Sequence, residues 1–183
     1  MSKPSSGHFS GTTGASHAKR NIAISNISVS QSTSTNSLDY REHPVKNYSS
    51  TSIKKIRGKV DSRTATRNEY KKLEQSRRLA NRRKAGVREF WRQEREKLRN
   101  NQKGTRNWSA EQIRDIKAGR TPKLNGKPLQ SHHTYAVNKY PHLANKGQII
   151  YPVTFDEHFY GFHNGNFKNS LPGKPYPNFK KQF

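Results

Sequence analysis

Positive charge limits how this chain can fold. Its 183 residues include 36 lysines and arginines but only 12 acidic residues, for a net charge of +24, and 28% of its residues are hydrophobic. An excess of one sign repels itself in a compact state and attracts polyanions. We therefore expect a small core and a polyanionic partner: nucleic acid first, an acidic protein second and an anionic membrane surface third.

The amino-acid types also exclude some classes of site. The chain has no cysteine, which excludes disulfides and thiolate metal sites and leaves His, Asp, Glu and Asn as metal ligands. We expect no membrane span, because no apolar run is long enough. Residues 1–20 lack the apolar stretch of a signal peptide, so none is expected there.

Composition predicts three segments. Residues 1–52 are rich in Ser, Thr, Asn and Gly and are predicted to be flexible or linker-like, with an ordered patch at residues 39–48, where Tyr and Pro provide anchors. Residues 53–102 hold half of the basic residues and are predicted to be helical. Residues 103–183 hold most of the aromatic residues and five of the eight histidines, and they are predicted to be the functional domain.

Three capping boxes predict where helices begin. In this motif a Ser or Thr hydroxyl accepts from the third backbone N–H while a Glu or Gln reaches back, and the spacing occurs at Thr66–Glu69, Ser109–Gln112 and Thr154–Glu157. Gly119 is expected to end the second helix, and Gly86 is expected to weaken or bend the first. The first helix carries a thin apolar stripe, so it is expected to dock onto another element.

The region after the second helix predicts a strand, a loop, a strand and a helix in that order. Asn125-Gly126 is a strong hairpin signal, "PLQSHHTYAV" precedes a polar loop, and "QIIYPVT" is typical of a buried strand. The third capping box then opens a helix. The predicted fold class is α+β, with basic α-helices and a largely irregular N-terminal segment ahead of this unit.

Histidines lie at both ends of the unit. His132 and His133 are adjacent at the first strand, and His158 and His163 follow the third capping box. A neutral imidazole serves as a base or as a metal ligand but not easily as both, whereas two adjacent rings at a strand end can divide the roles. His158 and His163 would lie about 140° apart on a regular α-helix, so both reach one site only if Gly161 ends or distorts that helix.

These residues together resemble a known family. "GKPLQSHHTYAVNKYPHLANKGQIIYPVTFDEHFYGFHNGN" resembles the GHH branch of the HNH, or His-Me finger, nucleases, with Ser131 in the position of the Gly. The preceding "RNWSAEQIRDIKAGRTPKLNGKPL" is similar to the lead-in of these domains, and the resemblance covers roughly residues 105–175. It implies a small ββα-metal core and a metal-dependent endonuclease that hydrolyses phosphodiester bonds.

The resemblance also implies roles for individual histidines. His132 and His158 would bind one divalent ion, with His163 as a further ligand or a phosphate contact. His133 would be the general base. The ion would be Mg, Mn, Zn or Ni, because a histidine set favours the softer ions while an open nuclease site also accepts magnesium.

Other positions are assigned with alternatives. The family orients its base through an Asn, for which Gln148 is the candidate here and Asn145 the alternative. Basic residues of the predicted helix and tail are candidate nucleic-acid contacts, against the alternative of a solvated charged face: Arg77, Arg78, Arg82, Arg83, Lys84 and Lys168.

A looser resemblance suggests a biological setting. "DYREHPVK" and the basic helix look like the C-terminal toxin regions of LXG-type polymorphic toxins of Gram-positive bacteria. This implies a secreted antibacterial effector that acts in the cytoplasm of target cells and is neutralised in its producer by an immunity protein, expected to be acidic. The expected substrate is DNA, in preference to RNA, bound through its phosphates without sequence preference.

The residues leave other interpretations open. The chain could be a non-catalytic basic nucleic-acid-binding protein with a structural His–metal site, an RNase toxin, or a protein whose residues 1–102 chiefly dock an acidic partner. Trp108 is assigned to the core in preference to base stacking, and His142 to a structural or surface role. Glu157 is assigned as a cap partner, with outer support of a metal-bound His as the alternative.

Overall fold

Helices and two small antiparallel sheets make up the part of the chain that this computed structural model describes, residues 37–180. The fold is α+β, as predicted. Most of the predicted flexible segment, residues 1–36, lies outside the described residues, as do residues 181–183. The elements, in chain order, are α1 (Ser50–Asp61), α2 (Arg67–Arg99), α3 (Ala110–Lys117), β1 (Lys123–Leu124), β2 (Lys127–Pro128), β3 (Gln130–His133), a 3₁₀ turn (Gly147–Ile149), β4 (Ile150–Val153) and a π-helix (Glu157–Phe162).

The predicted capping boxes are present. At the start of α2 the Thr66 hydroxyl accepts from the backbone N–H of Glu69 and the Glu69 carboxylate accepts in return. Ser109 and Gln112 do the same at α3, and Gly119 ends that helix with φ of +81°. Of the helices in residues 37–180, none is long and apolar enough to cross a membrane.

Both strand pairs are antiparallel hairpin-like ladders. β1 and β2 join through Asn125 and Gly126, whose φ angles of 50° and 76° are those of the tight turn that the pair predicts. β3 pairs with β4 so that His132 lies opposite Tyr151 and His133 opposite Ile150. The predicted order of strand, loop, strand and helix is therefore observed.

Helix α2 packs through a narrow face. Its buried residues recur every four positions, at Gly86, Phe90, Glu94 and Leu98, which places them on one side of the helix. Through this face α2 contacts α3, the 3₁₀ turn and β4, and it also contacts α1. The docking predicted from the thin apolar stripe is confirmed.

Two small clusters form the core. The first joins the end of α2 to α3 and the β1–β2 hairpin, and its buried members are Leu98, Trp108, Ile116 and Leu129. The second lies under the loop between β3 and β4, and its buried members are Tyr140, Leu143 and Ile149. The assignment of Trp108 to the core is confirmed.

A buried carboxylate fixes the segment between α2 and α3. Glu94 is fully buried, and it accepts hydrogen bonds from the backbone N–H of Thr105 at 2.5 Å, the Thr105 hydroxyl at 2.6 Å and the Trp108 indole at 2.6 Å. Charge-assisted hydrogen bonds of this kind offset the cost of burying the charge. Glu94 therefore ties α2 to the start of the region that holds the sheets.

The ends of the described chain are also held. Leu38 packs against the second core cluster, and the backbone N–H of His43 donates to the carbonyl of Lys139, so the predicted patch at residues 39–48 is ordered. Towards the C-terminus, Tyr176 donates its backbone N–H to Gly161. A Cβ at Gly161 would meet the ring of Phe179, so the tail packs closely on the π-helix.

Close packing explains Gly86. α2 continues without interruption through this residue, and a Cβ there would meet the carbonyl oxygen of Ala144. The glycine lets the helix backbone approach the loop that precedes β4. Its role is thus contact between two elements, which the sequence pattern alone did not suggest.

We expect Gly86→Ala to lower the free energy of unfolding by about 1–3 kcal/mol, because the added methyl overpacks this contact. The matched variant is Gly58→Ala in α1, where a Cβ meets nothing within 4 Å. That change should raise the free energy of unfolding by about 0.5–1 kcal/mol, since Ala is the better helix former. Urea unfolding of both variants checks the pair; equal effects would contradict the packing role of Gly86.

Candidate metal centre

Three histidines converge between β3 and the π-helix. His132 lies on β3, His158 in the π-helix and His163 just after it. Their ring centroids are 4.9 to 5.1 Å apart, and one ligand nitrogen from each lies within 4.8 Å of the others. The structure thus brings together the three residues proposed as ligands.

The π-helix explains why a spacing of five works. His158 and His163 would diverge on an α-helix, but a π-helix closes its hydrogen bonds from residue i to i+5, so residues five apart lie nearly one above the other. The distortion expected near Gly161 is therefore a wider turn. Both imidazoles consequently lie on the same side of the helix, facing β3.

Carbonyl oxygens set the tautomers of His158 and His163. The Nδ1 of His158 is 2.5 Å from the side-chain Oε1 of Gln130, and the Nδ1 of His163 is 2.5 Å from the backbone oxygen of Asn169. Because a carbonyl oxygen only accepts, each Nδ1 carries the proton. Each Nε2 therefore keeps its lone pair free for a metal, in the pattern that outer hydrogen bonds impose on metal-binding histidines.

His132 has an unsatisfied buried nitrogen. The residue is 3% exposed, its ring packs 4.3 Å from that of Phe162, and its Nε2 has no hydrogen-bond partner among the described residues. A buried polar atom without a partner is costly and calls for a ligand, an ion or water. The orphaned Nε2 of His132 and the free Nε2 atoms of its two neighbours fit a divalent metal ion.

The pKa values favour neutral rings at this centre. Burial, reinforced by the charges of His158 and His163, lowers the pKa of His132 to about 3. Burial, followed by the charges of His163 and Arg83, lowers the pKa of His158 to about 4. At neutral pH both imidazoles are therefore unprotonated, which is the form that binds a metal.

A buried ion pair holds the π-helix in place. Arg106 and Glu157 form two hydrogen bonds of 2.6 Å, and Arg106 also donates to the carbonyl of Pro152 at 2.8 Å. Glu157 accepts from the backbone N–H of Thr154 as the predicted cap partner. These contacts fix the residue beside His158 to the end of β4.

His133 is held separately from the other three. Its Nε2 lies 3.1 Å from the carbonyl oxygen of Ala144, so Nε2 carries the proton and Nδ1 keeps a lone pair. Burial lowers the pKa of His133, with Arg83 acting in the same direction and the Ala144 hydrogen bond opposing it. A neutral imidazole with one fixed tautomer is suited to accept a proton.

Helix α2 positions the carbonyl that fixes His133. Arg82 donates to the carbonyls of Pro141 at 2.9 Å and His142 at 2.7 Å, and to the Asn145 side chain at 2.8 Å. One turn later, the absence of a side chain at Gly86 lets the helix meet the Ala144 carbonyl. Arg82 therefore holds this loop in place, and the side-chain N–H groups that do so are used in contacts within the protein.

Neither candidate for orienting His133 forms a hydrogen bond with it among the described residues. Gln148 is exposed in the 3₁₀ turn, and the side chain of Asn145, the alternative, accepts from Arg82. The structure assigns the contact with His133 to a backbone carbonyl instead. Hydrogen bonding by a backbone group leaves no side-chain signal in the sequence.

The histidines line a cavity of about 240 Å³. It adjoins a groove of about 530 Å³ between α2 and β3, and both are lined by Arg83, Ser131 and His133. The Trp91 indole donates to the Ser131 hydroxyl at 3.2 Å, so the residue in the Gly position of the motif links β3 to α2. The cavity therefore opens onto the basic side of this helix.

The predicted basic contacts differ in their surroundings. Arg83 and Lys84 are exposed and line the groove, and Lys168 lines the cavity. Arg78 is exposed, whereas Arg77 is bound to Glu74 in an ion pair of 2.8 Å. Within residues 37–180 neither Arg83 nor Lys84 forms an ion pair, so the positive charges of both are available to a ligand in the groove.

Several groups at the site and the groove were not predicted from the sequence. Arg88 also lines the groove and was not among the predicted contacts. Gln130 shares a strand face with His132, because residues two apart point the same way, so a strict alternation argument could have found it. The carbonyls of Ala144 and Asn169 could not be found from side-chain identity.

Residues 73–154 match the family model described as GHH signature containing HNH/Endo VII superfamily nuclease toxin. The matched region begins inside α2 and ends at Thr154, so it includes His132 and His133 and stops before His158. The match supports the resemblance to nuclease toxins and thus a nucleic acid substrate. No curated protein and no solved structure matches the chain.

We expect the metal-free protein to lose stability as the pH falls from about 6.5 towards 5. In the unfolded chain the imidazoles take up protons near pH 6.5, whereas the folded protein keeps His132 and His158 neutral down to about pH 3 and about pH 4. The unfolded state then binds more protons, which lowers the free energy of unfolding. Urea unfolding in EDTA between pH 7 and pH 5 measures this slope.

His158→Gln is the matched variant for that experiment. It removes one depressed imidazole, so its free energy of unfolding should depend less steeply on pH than that of the unaltered chain. Both proteins contain the same carboxylates, so the contribution of these groups cancels in the comparison. Identical slopes for the two proteins would show that burial of His158 does not oppose its protonation.

Proposed function

We propose that this chain is a metal-dependent endonuclease that cuts DNA without sequence preference and acts as an antibacterial toxin. The observation that carries the proposal is the division of the four histidines. His132, His158 and His163 each place one ligand atom within 4.8 Å of the others, while His133 is held apart, in a fixed tautomer, on the wall of the same cavity. The antiparallel pair β3–β4 and the π-helix that follows it support the proposal of a ββα-metal finger.

The three converging histidines would hold one divalent ion. When bound, the ion would supply Lewis-acid stabilisation of the charge that develops on the scissile phosphate and the leaving 3′ oxygen. A set of three imidazoles favours zinc, nickel or manganese, and a site left open for substrate also tolerates magnesium. Gln130 and Asn169 hold the protons of two of the rings on Nδ1, so each Nε2 would be free to bind the ion.

His133 would be the general base. Its Nε2 donates to the Ala144 carbonyl, so Nδ1 holds the lone pair that can accept a proton. A water molecule in the cavity would give its proton to Nδ1 as its oxygen attacks the phosphorus in line. The Ala144 carbonyl then stabilises the resulting imidazolium through the same hydrogen bond, so the charge develops beside an acceptor already in place.

Basic side chains would hold the substrate. Arg83 lies near enough to His133 and His158 to act on the pKa of each, and Lys168 lines the cavity from the opposite segment. Lys84 and Arg78 extend the positive surface along α2. Such contacts bind phosphates without reading bases, and their affinity falls steeply with salt because counterions are released.

The toxin setting follows from the similarity and the charge. A nuclease toxin must be secreted to reach the cytoplasm of its target and must be blocked in its producer. A net charge of +24 would favour an acidic immunity protein, because complementary charge speeds association. Such a protein would compete with DNA for the groove along α2.

We expect His133→Ala to slow plasmid cleavage by about 10²- to 10⁴-fold, the usual contribution of a general base, while metal binding is retained. His158→Ala should impair both cleavage and metal binding, because it removes a ligand. Plasmid nicking with added Mg²⁺, Mn²⁺, Zn²⁺ or Ni²⁺, alongside metal content by mass spectrometry, measures the two effects. EDTA should stop cleavage by the unaltered protein.

Three outcomes would contradict the proposal in different ways. A protein that shifts plasmid in a gel yet leaves it intact with every ion would be a binding protein with a structural metal site. Cleavage of RNA alone would contradict the choice of DNA. If Gln148→Ala slowed cleavage as much as His133→Ala, Gln148 would be the orienting residue in place of the Ala144 carbonyl.

We expect Arg83→Ala to weaken DNA binding and to lower the dependence of log Kd on log salt by about one phosphate contact. Arg77→Ala is the matched variant: it removes the same charge from the same helix, but Arg77 is already paired with Glu74. Its effect should be smaller. Fluorescence titrations in EDTA separate binding from cleavage, and equal effects would indicate a diffuse electrostatic surface instead of a contact at Arg83.

A further inference from the structure

A second group of potential metal ligands lies outside the nuclease cavity. Asp39, His43 and His142 each place one ligand atom within 4.8 Å of the others. They share no residue with the first centre. The segment that carries Asp39 and His43 runs along the loop before β4, where the backbone N–H groups of His43 and Val45 donate to the carbonyls of Lys139 and Asn138 at 2.8 and 2.7 Å.

His142 is prepared to act as a ligand. Its Nε2 is 2.7 Å from the backbone oxygen of Asp39, so Nε2 carries the proton and Nδ1 keeps the lone pair. That Nδ1 is buried and has no hydrogen-bond partner among the described residues. At the first centre, carbonyl oxygens likewise fix one ring nitrogen of His158 and of His163 and leave the other free to bind an ion.

His43 and Asp39 complete the set. The ring centroid of His43 lies 4.7 Å from that of His142, edge to face, and its Nε2 lies 3.5 Å from Oδ2 of Asp39. The Asp39 carboxylate also accepts from the backbone N–H of Arg41 at 3.0 Å and from the Arg41 side chain at 2.9 and 2.8 Å. A carboxylate offers about four acceptor positions, so these bonds leave one on Oδ2 open to an ion.

Arg41 competes only weakly for the carboxylate. Its side chain is 82% exposed, and an ion pair at such exposure contributes little to stability. An ion that binds both imidazoles and the carboxylate would add a positive charge next to Arg41 and displace it into solvent. The cost of that displacement is small compared with three metal–ligand bonds.

We propose that Asp39, His43 and His142 form a second site for a divalent ion of the zinc class. Two imidazoles and one carboxylate suit zinc and its neighbours, whereas magnesium and calcium prefer all-oxygen sets. The ion would join residues 39–43 to the loop at residues 138–146. That loop also carries the Ala144 carbonyl and is held by Arg82, so the ion would stabilise the loop that supports His133.

The test compares zinc bound per chain in the tag-free 183-residue protein and in its His43→Ala variant. Equilibrium dialysis against micromolar Zn²⁺ with mass-spectrometric metal content should show the loss of one ion per chain in the variant. The side chain of His43 is 53% exposed, so its removal leaves no buried cavity, and circular dichroism verifies the fold. The difference between the proteins does not depend on the first centre or on nuclease activity.

Arg41→Ala provides the matched control. It removes the competing cation but no ligand, so this variant should retain the second ion and bind it at least as tightly as the unaltered chain. In His158→Ala the ion at the second site should also persist. Equal zinc content in the unaltered protein and His43→Ala would overturn the proposal, as would loss of that ion in Arg41→Ala, because Asp39 would then act only as an ion-pair partner.

Discussion

The contact between α2 and the loop before β4 is the constraint on which the candidate active centre depends. Arg82 holds the loop by three hydrogen bonds, and Gly86 brings the helix backbone against Ala144. The carbonyl of Ala144 then fixes the tautomer of His133. A long charged helix such as α2 would be only marginally stable alone. Its packing against the domain stabilises it and also sets the geometry of His133, the candidate general base.

Backbone and amide oxygens determine which nitrogen of each ring is available. An oxygen that only accepts fixes the proton on Nε2 of His133 and on Nδ1 of His158 and His163. The imidazoles are therefore organised before any ion or water arrives, which removes a reorganisation cost from binding and from proton transfer. A carbonyl oxygen also fixes the proton on Nε2 of His142. The second cluster therefore resembles the first in its chemistry, although the two share no side chain.

Local signals in the sequence predicted more than long-range ones did. The capping boxes at Thr66 and Ser109 and the Asn125-Gly126 turn depend on neighbours within a few residues, so they could be predicted from the residues alone. The π-helix could not, because the tail residues Tyr176 and Phe179 pack on Gly161, and such packing depends on tertiary structure. The family resemblance predicted that the histidines converge. It did not predict the π-helix, which brings His158 and His163 to the same side although they are five residues apart.

Charge remains the feature that ties folding to function. Glutamates on α2 form ion pairs with Arg77 and Arg92 of the same helix, and Glu94 is buried in the core. These acidic residues therefore stabilise the helix and its packing. Arg83 and Lys84 receive no such partner within the described chain and lie where the cavity opens. Self-repulsion among these unpaired cations disfavours the free protein, and a polyanion in the groove relieves it. Repulsion among the basic residues thus opposes the compact state and, by the same charges, favours a polyanion in the groove.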